Sequence, residues 1–436
     1  DGSELCTRID ERLRARSLIV HRGDWHGKSA GDGSAPLAAL VILTPAGGSD
    51  ESFLKRAFRN IQMAGPSLRK AGNAGAAILV TVSRLDGAFG FGTLGNRGDP
   101  ISGGLAGLVK TARREWPEVR CKALDLDPQS MQAGEAAEQI VAEMFRAGPL
   151  EVGLSGRARV SLELAHAPNA SDGAHPPLGE GDVVIVTGGA RGVTGEAAFA
   201  LARAFRPTLV LLGRTRLADG EPAWLQDLQS EAGIKQALFA RPDGGGSPKA
   251  VEARYRDLLA QREIRAQLGR LEASGAKAVY HSVDVRDGAA VARVVAGIRQ
   301  RHGAIRGLVH GAGVLADRRI EDKTEEQFEL VYGTKVTGLQ SLLGALAQEE
   351  LKVIALFSSS TGRFGRIGQA DYAAANEVLN KLAQAESRRR PECRVVSINW
   401  GPWAGGMVTP GLRKVFEQEN VGLIEPDAGG EFFVRE

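Results

Sequence analysis

A hydroxyl, a phenol and an amide are grouped in the sequence between residues 359 and 376. Ser359 follows the apolar run 353–357, which is typical of a buried strand, and Tyr372 comes 13 residues later. Asn376 lies one helical turn beyond Tyr372 on a segment rich in Ala and Leu. A positioned phenol, hydroxyl and amide are the groups that protonate an oxygen as it gains negative charge. The pattern therefore predicts a site that reduces a ketone with a hydride donor.

A glycine-rich turn is the candidate site for that donor. The strand predicted at 183–186 runs into the turn 187–195, and a helix follows as far as Ala204. A turn in this setting lets the backbone approach a pyrophosphate whose charge rests on the helix N-terminus. The predicted contacts are Thr187, Gly188, Gly189, Arg191, Gly192 and Val193. A glycine-rich turn without a ligand is the alternative.

The end of the next predicted strand, 208–212, indicates which dinucleotide is bound. A fold that prefers NAD usually has an acidic residue here, whereas this chain has Arg214 followed by Thr215. A guanidinium matches a 2′-phosphate as a planar charged fork, so the sequence predicts NADPH. A solvated surface arginine is the alternative.

Two further strand ends are expected to line the cofactor. Asp284 and Val285 follow a predicted strand near the adenine, and small residues follow His310, where the backbone can pass close to the nicotinamide ribose. Those small residues are Gly311, Ala312 and Gly313. His310 itself is interpreted as a packed histidine at a strand end rather than a base.

A second glycine-rich segment, Gly90 to Gly95, has the literal spacing of a dinucleotide fingerprint. Gly98 and Pro100 follow it closely, so no helix can begin where the pyrophosphate needs one. We interpret this segment as a flexible connection and not as a nucleotide site.

Composition and charge exclude several other classes of function. The chain has 436 residues, 43% hydrophobic and 25% charged, which is typical of a globular protein with a core. A net charge of +3 with scattered basic residues argues against nucleic-acid or anionic-membrane binding. The distant Cys6, Cys121 and Cys393 predict neither a disulfide framework nor a metal site, and they fit a reducing, cytoplasmic compartment. No apolar run is long enough for a membrane span.

The order of elements predicts two α/β units. Alternating strands (18–21, 40–43, 77–81 and 122–126) and helices predict a structural unit over residues 1–167. A Pro- and Gly-rich linker is expected at 168–182, and a second unit at 183–436 with a helical insertion at about 217–274. After the last strand, Trp403 and Met407 suggest a loop over the substrate, with a packed corner as the alternative. The two ends of the chain suggest a piece of a longer polypeptide.

These residues resemble the ketoreductase domain of type I polyketide synthases and polyunsaturated-fatty-acid-type synthases, within the short-chain dehydrogenase/reductase superfamily. In most of that superfamily a lysine follows the tyrosine by four residues, and an asparagine lies on an earlier helix. Here Asn376 has the first position and Lys335 the second, an exchange that marks synthase ketoreductases. The resemblance implies the catalytic set Lys335, Ser359, Tyr372 and Asn376, with Lys335 lowering the pKa of Tyr372.

The same resemblance implies the fold, the partners and the stereochemistry. It implies two Rossmann-like subdomains: a truncated structural one, and a catalytic one with a parallel sheet that binds NADPH. The substrate is expected to be a β-ketoacyl chain on an acyl carrier protein, presented among neighbouring synthase domains. Asp317 is present where the family's Leu-Asp-Asp motif ends, and Phe364 replaces the tryptophan of the opposite class. These two residues imply a B-type enzyme that gives the D-configured 3-hydroxyl.

Two other interpretations remain open at this level. One is a free-standing short-chain reductase of small ketones. The other is a reductase-shaped domain that is structural or only epimerises its substrate, a possibility raised by Thr194 in the glycine turn, where most modular ketoreductases have glycine.

Overall fold

The structure is a computed structural model of the chain. It describes residues 3–23, 37–92, 94, 98–156, 158–166, 177–241, 247–405 and 410–436. Most of the predicted linker at 168–182, together with Met407 and Gly95, lies outside the described residues. No helix in the described part of the chain is both long and apolar enough to cross a membrane.

The amino-terminal part of the chain alternates helices with strands. In chain order these are α1 (Glu4–Arg14), β1 (Ala39–Leu43), α2 (Phe53–Asn73), β2 (Ile78–Ser83), α3 (Gly104–Glu115), β3 (Arg120–Leu126), α4 (Ala133–Phe145), β4 (Glu151–Ser155) and β5 (Ala158–Val160). The strands form one sheet in the order β1-β2-β3-β4-β5. Its first four strands pair in parallel, and β5 pairs antiparallel to β4.

The strand predicted at 18–21 is wrong, and the preceding helix α1 was not anticipated. Leu18 and Ile19 are exposed, whereas Leu5, Ile9 and Leu13 of α1 are buried. These three leucine and isoleucine positions recur every four residues, so they line one face of a helix that can pack on the sheet. The helical spacing therefore decides the local structure, and the short apolar run after it does not form a strand.

The remaining elements begin at residue 183. They are β6 (Val183–Thr187), α5 (Gly192–Phe205), β7 (Thr208–Gly213), α6 (Ala223–Gln226), α7 (Glu231–Phe239), α8 (Pro248–Ala273), β8 (Lys277–Ser282), α9 (Gly288–His302), β9 (Ile305–His310), α10 (Glu325–Tyr332), α11 (Gly338–Ala345), β10 (Val353–Ser359), α12 (Ser360–Phe364), α13 (Ala370–Arg389), β11 (Arg394–Trp400), α14 (Pro410–Gln418) and α15 (Pro426–Arg435). A π-helical turn, Gly333–Thr337, separates α10 from α11.

The second sheet has six strands in the order β11-β10-β9-β6-β7-β8. Its strands β9, β6, β7 and β8 pair in parallel. Counted from β6, this is the order 3-2-1-4-5-6 of dinucleotide-binding folds, in which the order of the strands reverses between the first and the fourth. The predicted α/β fold with a Rossmann-like parallel sheet is therefore confirmed.

The segment between β7 and β8 contains the three helices α6, α7 and α8. Their apolar side chains form a small core of their own: Leu225, Ile234, Leu238, Val251 and Leu258. The carboxyl-terminal half of α8 also reaches α5, because Gln267 donates to the backbone oxygen of Gly195 at 2.7 Å. The insertion is thus an ordered helical layer rather than a loose loop.

The chain divides into two compact units when its internal contacts are grouped. The first comprises 1–169, 313–337 and 356–400, and the second comprises 170–312, 338–355 and 401–436. The segment 356–400 contributes α13 to the first unit, where α13 packs on α3. Gly107 permits this close approach, since a Cβ there would lie 2.5 Å from the backbone carbon of Ala373.

Candidate active site

The candidate catalytic residues are positioned by the end of one strand, the start of one helix and a π-helical turn. Ser359 ends β10 and caps α12, where its Oγ accepts a hydrogen bond from the backbone N–H of Thr361 at 3.1 Å. Tyr372 lies in the first turn of α13, and Asn376 lies one turn further. Lys335 occupies the π-helical turn between α10 and α11. Such turns are common at functional sites because they redirect a side chain.

Lys335 is buried next to Tyr372. Its side chain is 3% exposed, and its Nζ donates a hydrogen bond to the backbone oxygen of Phe357 at 2.8 Å. The same Nζ lies 5.2 Å from the centroid of the Tyr372 ring. Burial lowers the pKa of Lys335 to about 7, because the charged form is penalised away from water. Lys335 can therefore exchange a proton near neutral pH.

Tyr372 is also shifted toward its neutral form. Burial raises its pKa above the ordinary value, and the nearby carboxylate of Asp317 adds to this effect. Hydrogen bonding with the side chains of Asn376 and Ser359 acts in the opposite direction. The sequence-based expectation that Lys335 lowers the pKa of this phenol is not observed, since burial is the largest influence on it.

Asn376 is completely buried on α13. Its Nδ2 donates to the backbone oxygen of Tyr372 at 2.7 Å, which fixes the amide within the helix. Its Oδ1 accepts no hydrogen bond from the residues that the structure describes. A buried acceptor of this kind suits a proton-carrying group such as an ammonium or a water molecule.

Asp317 and Phe364, the two residues that the resemblance links to stereochemistry, lie on a loop and at the end of a short helix, respectively. Asp317 is exposed and accepts a hydrogen bond from Nε2 of Gln369 at 3.0 Å. Phe364 ends α12, and its side chain is 46% exposed. The backbone N–H of Arg318 donates to the oxygen of Gly368 at 3.0 Å. The loop after Ala316 and the loop before Tyr372 are therefore held together by direct bonds.

The glycine turn between β6 and α5 has the backbone that a bound pyrophosphate requires. Gly188 has a φ of 76° and Gly192 a φ of 59°, both in the region that favours glycine. The helix α5 begins at Gly192, so its free N–H groups lie at the turn. Arg191 and Val193 flank this helix start, and Gly189 packs on β6. The turn thus fits a dinucleotide.

The region around Thr187 joins this turn to the end of β9. The Oγ1 of Thr187 accepts from the backbone N–H of Ala312 at 3.1 Å and lies 2.9 Å from Nδ1 of His310. His310 is fully buried, as expected for a packed strand-end residue. Thr194 packs on Gly311, where a Cβ would lie 2.2 Å from the threonine Oγ1. Thr194 therefore fits because residue 311 is glycine. Gly313 follows outside any helix or strand.

Basic residues surround the end of β7. Arg214 is exposed, and its backbone oxygen accepts from Ser282 at 3.1 Å. The oxygen of Thr215 accepts from the phenol of Tyr280 at 2.7 Å. Asp284 receives hydrogen bonds from Arg286, which with Arg214 hold the pKa of its carboxyl below the usual value. Val285 is buried against Gly338. An exposed guanidinium at this edge fits a 2′-phosphate.

The glycine-rich segment after Gly90 already has an internal anion. The carboxylate of Asp86 accepts backbone hydrogen bonds from Ala88, Gly90, Gly92 and Leu94 at 2.7–3.1 Å. Arg388 of α13 then donates to the backbone oxygens of Gly90 and Gly92. The N–H groups of these four residues are thus occupied, which agrees with the interpretation that this fingerprint spacing does not indicate a second nucleotide site.

The sequence profile of the KR (ketoreductase) domain family matches residues 182–405, which is just over half of the chain. The chain belongs to the KR domain family. As a KR domain the protein is an oxidoreductase of a family that uses a nicotinamide cofactor.

Similar proteins agree with this membership. The chain is 36% identical over 381 residues to a polyunsaturated fatty acid synthase polypeptide of Thraustochytrium sp., covering 83% of this chain and 13% of that protein. It superposes on a ketoreductase domain from the bacillaene assembly line with a TM-score of 0.67, 22% identity and coverage of 94% and 92% of the two chains. For A-type ketoreductases from a modular polyketide synthase, the TM-score is 0.69, the identity 23% and the coverage 100% and 80%. The chain spans only a small part of the length of the curated relatives that it matches.

Trp403 is 3% exposed and packs on Gly429 of α15, as in the packed-corner alternative.

The structure also adds residues that the sequence did not single out. In the first unit, Lys110 donates to Glu377, the residue after Asn376, and to the oxygen of Gly362. Burial lowers the pKa of Lys110 to about 7. Isolated lysines and glutamates are usually solvent-facing, so no local signal could have identified this buried group behind the catalytic residues.

Proposed function

We propose that this KR domain reduces a β-ketoacyl thioester carried on an acyl carrier protein to the β-hydroxyacyl thioester, as one domain of a polyketide or polyunsaturated fatty acid synthase. The observation that carries the proposal is the grouping of Lys335, Ser359, Tyr372 and Asn376 by β10, α13 and the π-helical turn. A buried phenol with polar neighbours suits a proton donor to a carbonyl oxygen.

Each of the four residues has a defined part in the proposed reaction. Tyr372 donates its phenolic proton to the substrate oxygen, and Ser359 hydrogen-bonds the same oxygen as it gains charge. Lys335, with a pKa of about 7, returns a proton to Tyr372, and Oδ1 of Asn376 holds the lysine or a relaying water. A nicotinamide cofactor, when bound, supplies the hydride that reaches the β-carbon.

We propose NADPH as that cofactor. The residues that would hold it are those of the glycine turn, 187–193, together with Asp284, Val285 and the small residues 311–313. Preference for the 2′-phosphate is assigned to Arg214, which is exposed at the end of β7. A guanidinium pairs with phosphate through charge-assisted hydrogen bonds, and an acidic residue at this position would repel it.

The product is proposed to be the D-configured 3-hydroxyacyl thioester of a B-type reductase. Asp317 is present beside the candidate catalytic residues, and Phe364 has the position of the tryptophan that marks the opposite class. Met407 is proposed to act on substrate access, whereas Trp403 is buried against α15. Residues 1–167 are proposed as the structural subdomain, 168–182 as the linker and 183–436 as the catalytic subdomain, in a cytoplasmic protein. The three free cysteines support a reducing compartment.

The test is reduction of a β-ketoacyl pantetheine or carrier-bound thioester by wild type and by Tyr372→Phe. Proton donation by the phenol should accelerate the reaction by about 10²–10⁴-fold. The variant should therefore consume NADPH more slowly by that factor, while its affinity for the cofactor stays unchanged. A free ketone serves as the comparison substrate. Near wild-type turnover by Tyr372→Phe, or equal turnover of the free ketone and the thioester, would contradict the proposal.

A further inference from the structure

A lysine in the first unit is fully buried between two loops that carry proposed functional residues. Lys323 has a side chain that is 0% exposed and lies 2.8 Å from the carboxylate of Asp371, whose side chain is 2% exposed. The same Nζ donates to the backbone oxygen of Ala316 at 2.6 Å. One ammonium group therefore joins two points that are distant in sequence.

Each point is adjacent to a residue of the proposed site. Ala316 immediately precedes Asp317, and Asp371 immediately precedes Tyr372. Asp371 also accepts the backbone N–H of Tyr372 through its other carboxylate oxygen at 2.9 Å. The ammonium of Lys323 thus ties the backbone before Asp317 to the first turn of the helix that presents the phenol.

Other bonds reinforce the same two loops without replacing this one. The carboxylate of Glu115, on α3, accepts the backbone N–H groups of Ile320 and Gly368, both at 2.8 Å. Those bonds fix the distal parts of the loops. The segment 316–318 is held by Lys323, by the side chain of Gln369 and by the backbone hydrogen bond from Arg318 to Gly368, and among these only Lys323 also bonds the carboxylate that precedes Tyr372.

A structural purpose alone does not account for an ion pair in this place. Burying two charges costs desolvation that their attraction only partly offsets, and well-packed apolar side chains often give equal or greater stability. The ion pair does constrain geometry. An ammonium that donates to two buried acceptors holds both of them within hydrogen-bond distance of one nitrogen, and so limits how far apart they can move.

We propose that Lys323, through Asp371 and Ala316, is a positioning residue that sets the Asp317 loop against the Tyr372 helix and thereby determines which face of the ketone is reduced. This inference rests on the proposed ketoreductase function. Lys323 touches neither the cofactor nor the reacting atoms in this role, so its effect falls on stereochemical fidelity more than on proton transfer.

The test compares Lys323→Met and the double variant Lys323→Met/Asp371→Asn with wild type. The single variant leaves a buried carboxylate without its partner, which destabilises the protein. The double variant removes that carboxylate as well, so it should fold even if the single variant does not. The matched control is Lys122→Met, which removes another buried lysine, paired with Glu143 at 2.8 Å between β3 and α4. The measurements are the D to L ratio of the hydroxyacyl product, kcat and KM separately, the melting temperature, and backbone hydrogen exchange over 314–320.

The expected result is a D to L ratio that falls roughly tenfold or more in both Lys323 variants, as expected for loss of one charge-assisted hydrogen bond. Hydrogen exchange over 314–320 should increase in both, and Lys122→Met should change neither quantity. An unchanged ratio with unchanged exchange, or an equal fall of the ratio in Lys122→Met, overturns the inference. Failure of the wild type to reduce the thioester refutes the proposed function instead, and the exchange measurement then decides whether Lys323 holds the loop.

Discussion

Replacing Lys335 by methionine should stabilise the protein at neutral pH while it abolishes reduction. Burial lowers the pKa of Lys335 from its ordinary 10.5 to about 7. At about 1.36 kcal/mol for each pKa unit, keeping this lysine charged in the folded state costs about 5 kcal/mol. Methionine fills a similar volume and carries no charge. It loses the hydrogen bond to the backbone oxygen of Phe357, whose removal costs about 1–3 kcal/mol. The net gain expected at pH 6 is about 2–4 kcal/mol.

The pH dependence follows from the sign of this shift. Below pH 7 the lysine is protonated in both the folded and the unfolded chain, so the folded state has the full penalty. Between pH 7 and 10.5 the folded lysine is neutral while the unfolded one still binds a proton, and the penalty falls as pH rises. It drops to about 2 kcal/mol at pH 9. The advantage of Lys335→Met over wild type should therefore shrink by about 3 kcal/mol between pH 6 and pH 9.

The assay is urea unfolding followed by circular dichroism at pH 6, 7, 8 and 9, without cofactor. Lys122→Met serves as the control, because its ammonium lies against Glu143 and its removal should reduce stability at every pH. The reasoning is refuted if wild type is more stable than Lys335→Met at pH 6, or if the difference between them stays constant across the range.

Two other substitutions, the second with a matched control, test single features of the site and the fold. Arg214→Ser should lower kcat/KM for NADPH by roughly tenfold to hundredfold, with little change for NADH, because a charge-assisted contact to the 2′-phosphate is lost; an equal loss with both cofactors would remove Arg214 from cofactor selection. Gly107→Ala should destabilise the protein by about 1–3 kcal/mol in urea, because its Cβ would lie 2.5 Å from the backbone of Ala373. Gly297→Ala in α9, where the added methyl meets open space, should instead be neutral or gain about 0.5–1 kcal/mol.

The sequence was sufficient for those features whose signals are local. Apolar runs bounded by turns predicted β6, β7 and β10, and the glycines of 187–195 predicted the turn between a strand and a helix. The failed strand at 18–21 and the missed helix α1 show the limit of that approach. A run of four apolar residues carries little information unless its neighbours are compared with the helical period.

The sequence could not predict contacts between residues that are far apart in the chain. Lys323 and Asp371 are 48 residues apart, and Lys110 and Glu377 are 267 residues apart. Each lysine resembles a solvent-facing residue when its own helix or loop is considered alone. The carboxylate of Asp86 likewise explains the glycine-rich segment after Gly90 only once the loop is folded around it. Burial of these groups is a property of the packed unit and not of any segment.

The pKa of Tyr372 is shifted in the opposite direction from the one expected from the sequence. A lysine cation was expected to lower the pKa of the phenol, yet burial raises the pKa of Tyr372 and lowers that of Lys335 to about 7. Both shifts favour the neutral forms, so the phenol keeps its proton at neutral pH and Lys335 is only partly charged. A protonated phenol is the state required to give a proton to a forming alkoxide, whereas oxidation of an alcohol requires the phenolate. The burial of Tyr372 therefore keeps the phenol in the protonated form that the proposed reduction requires.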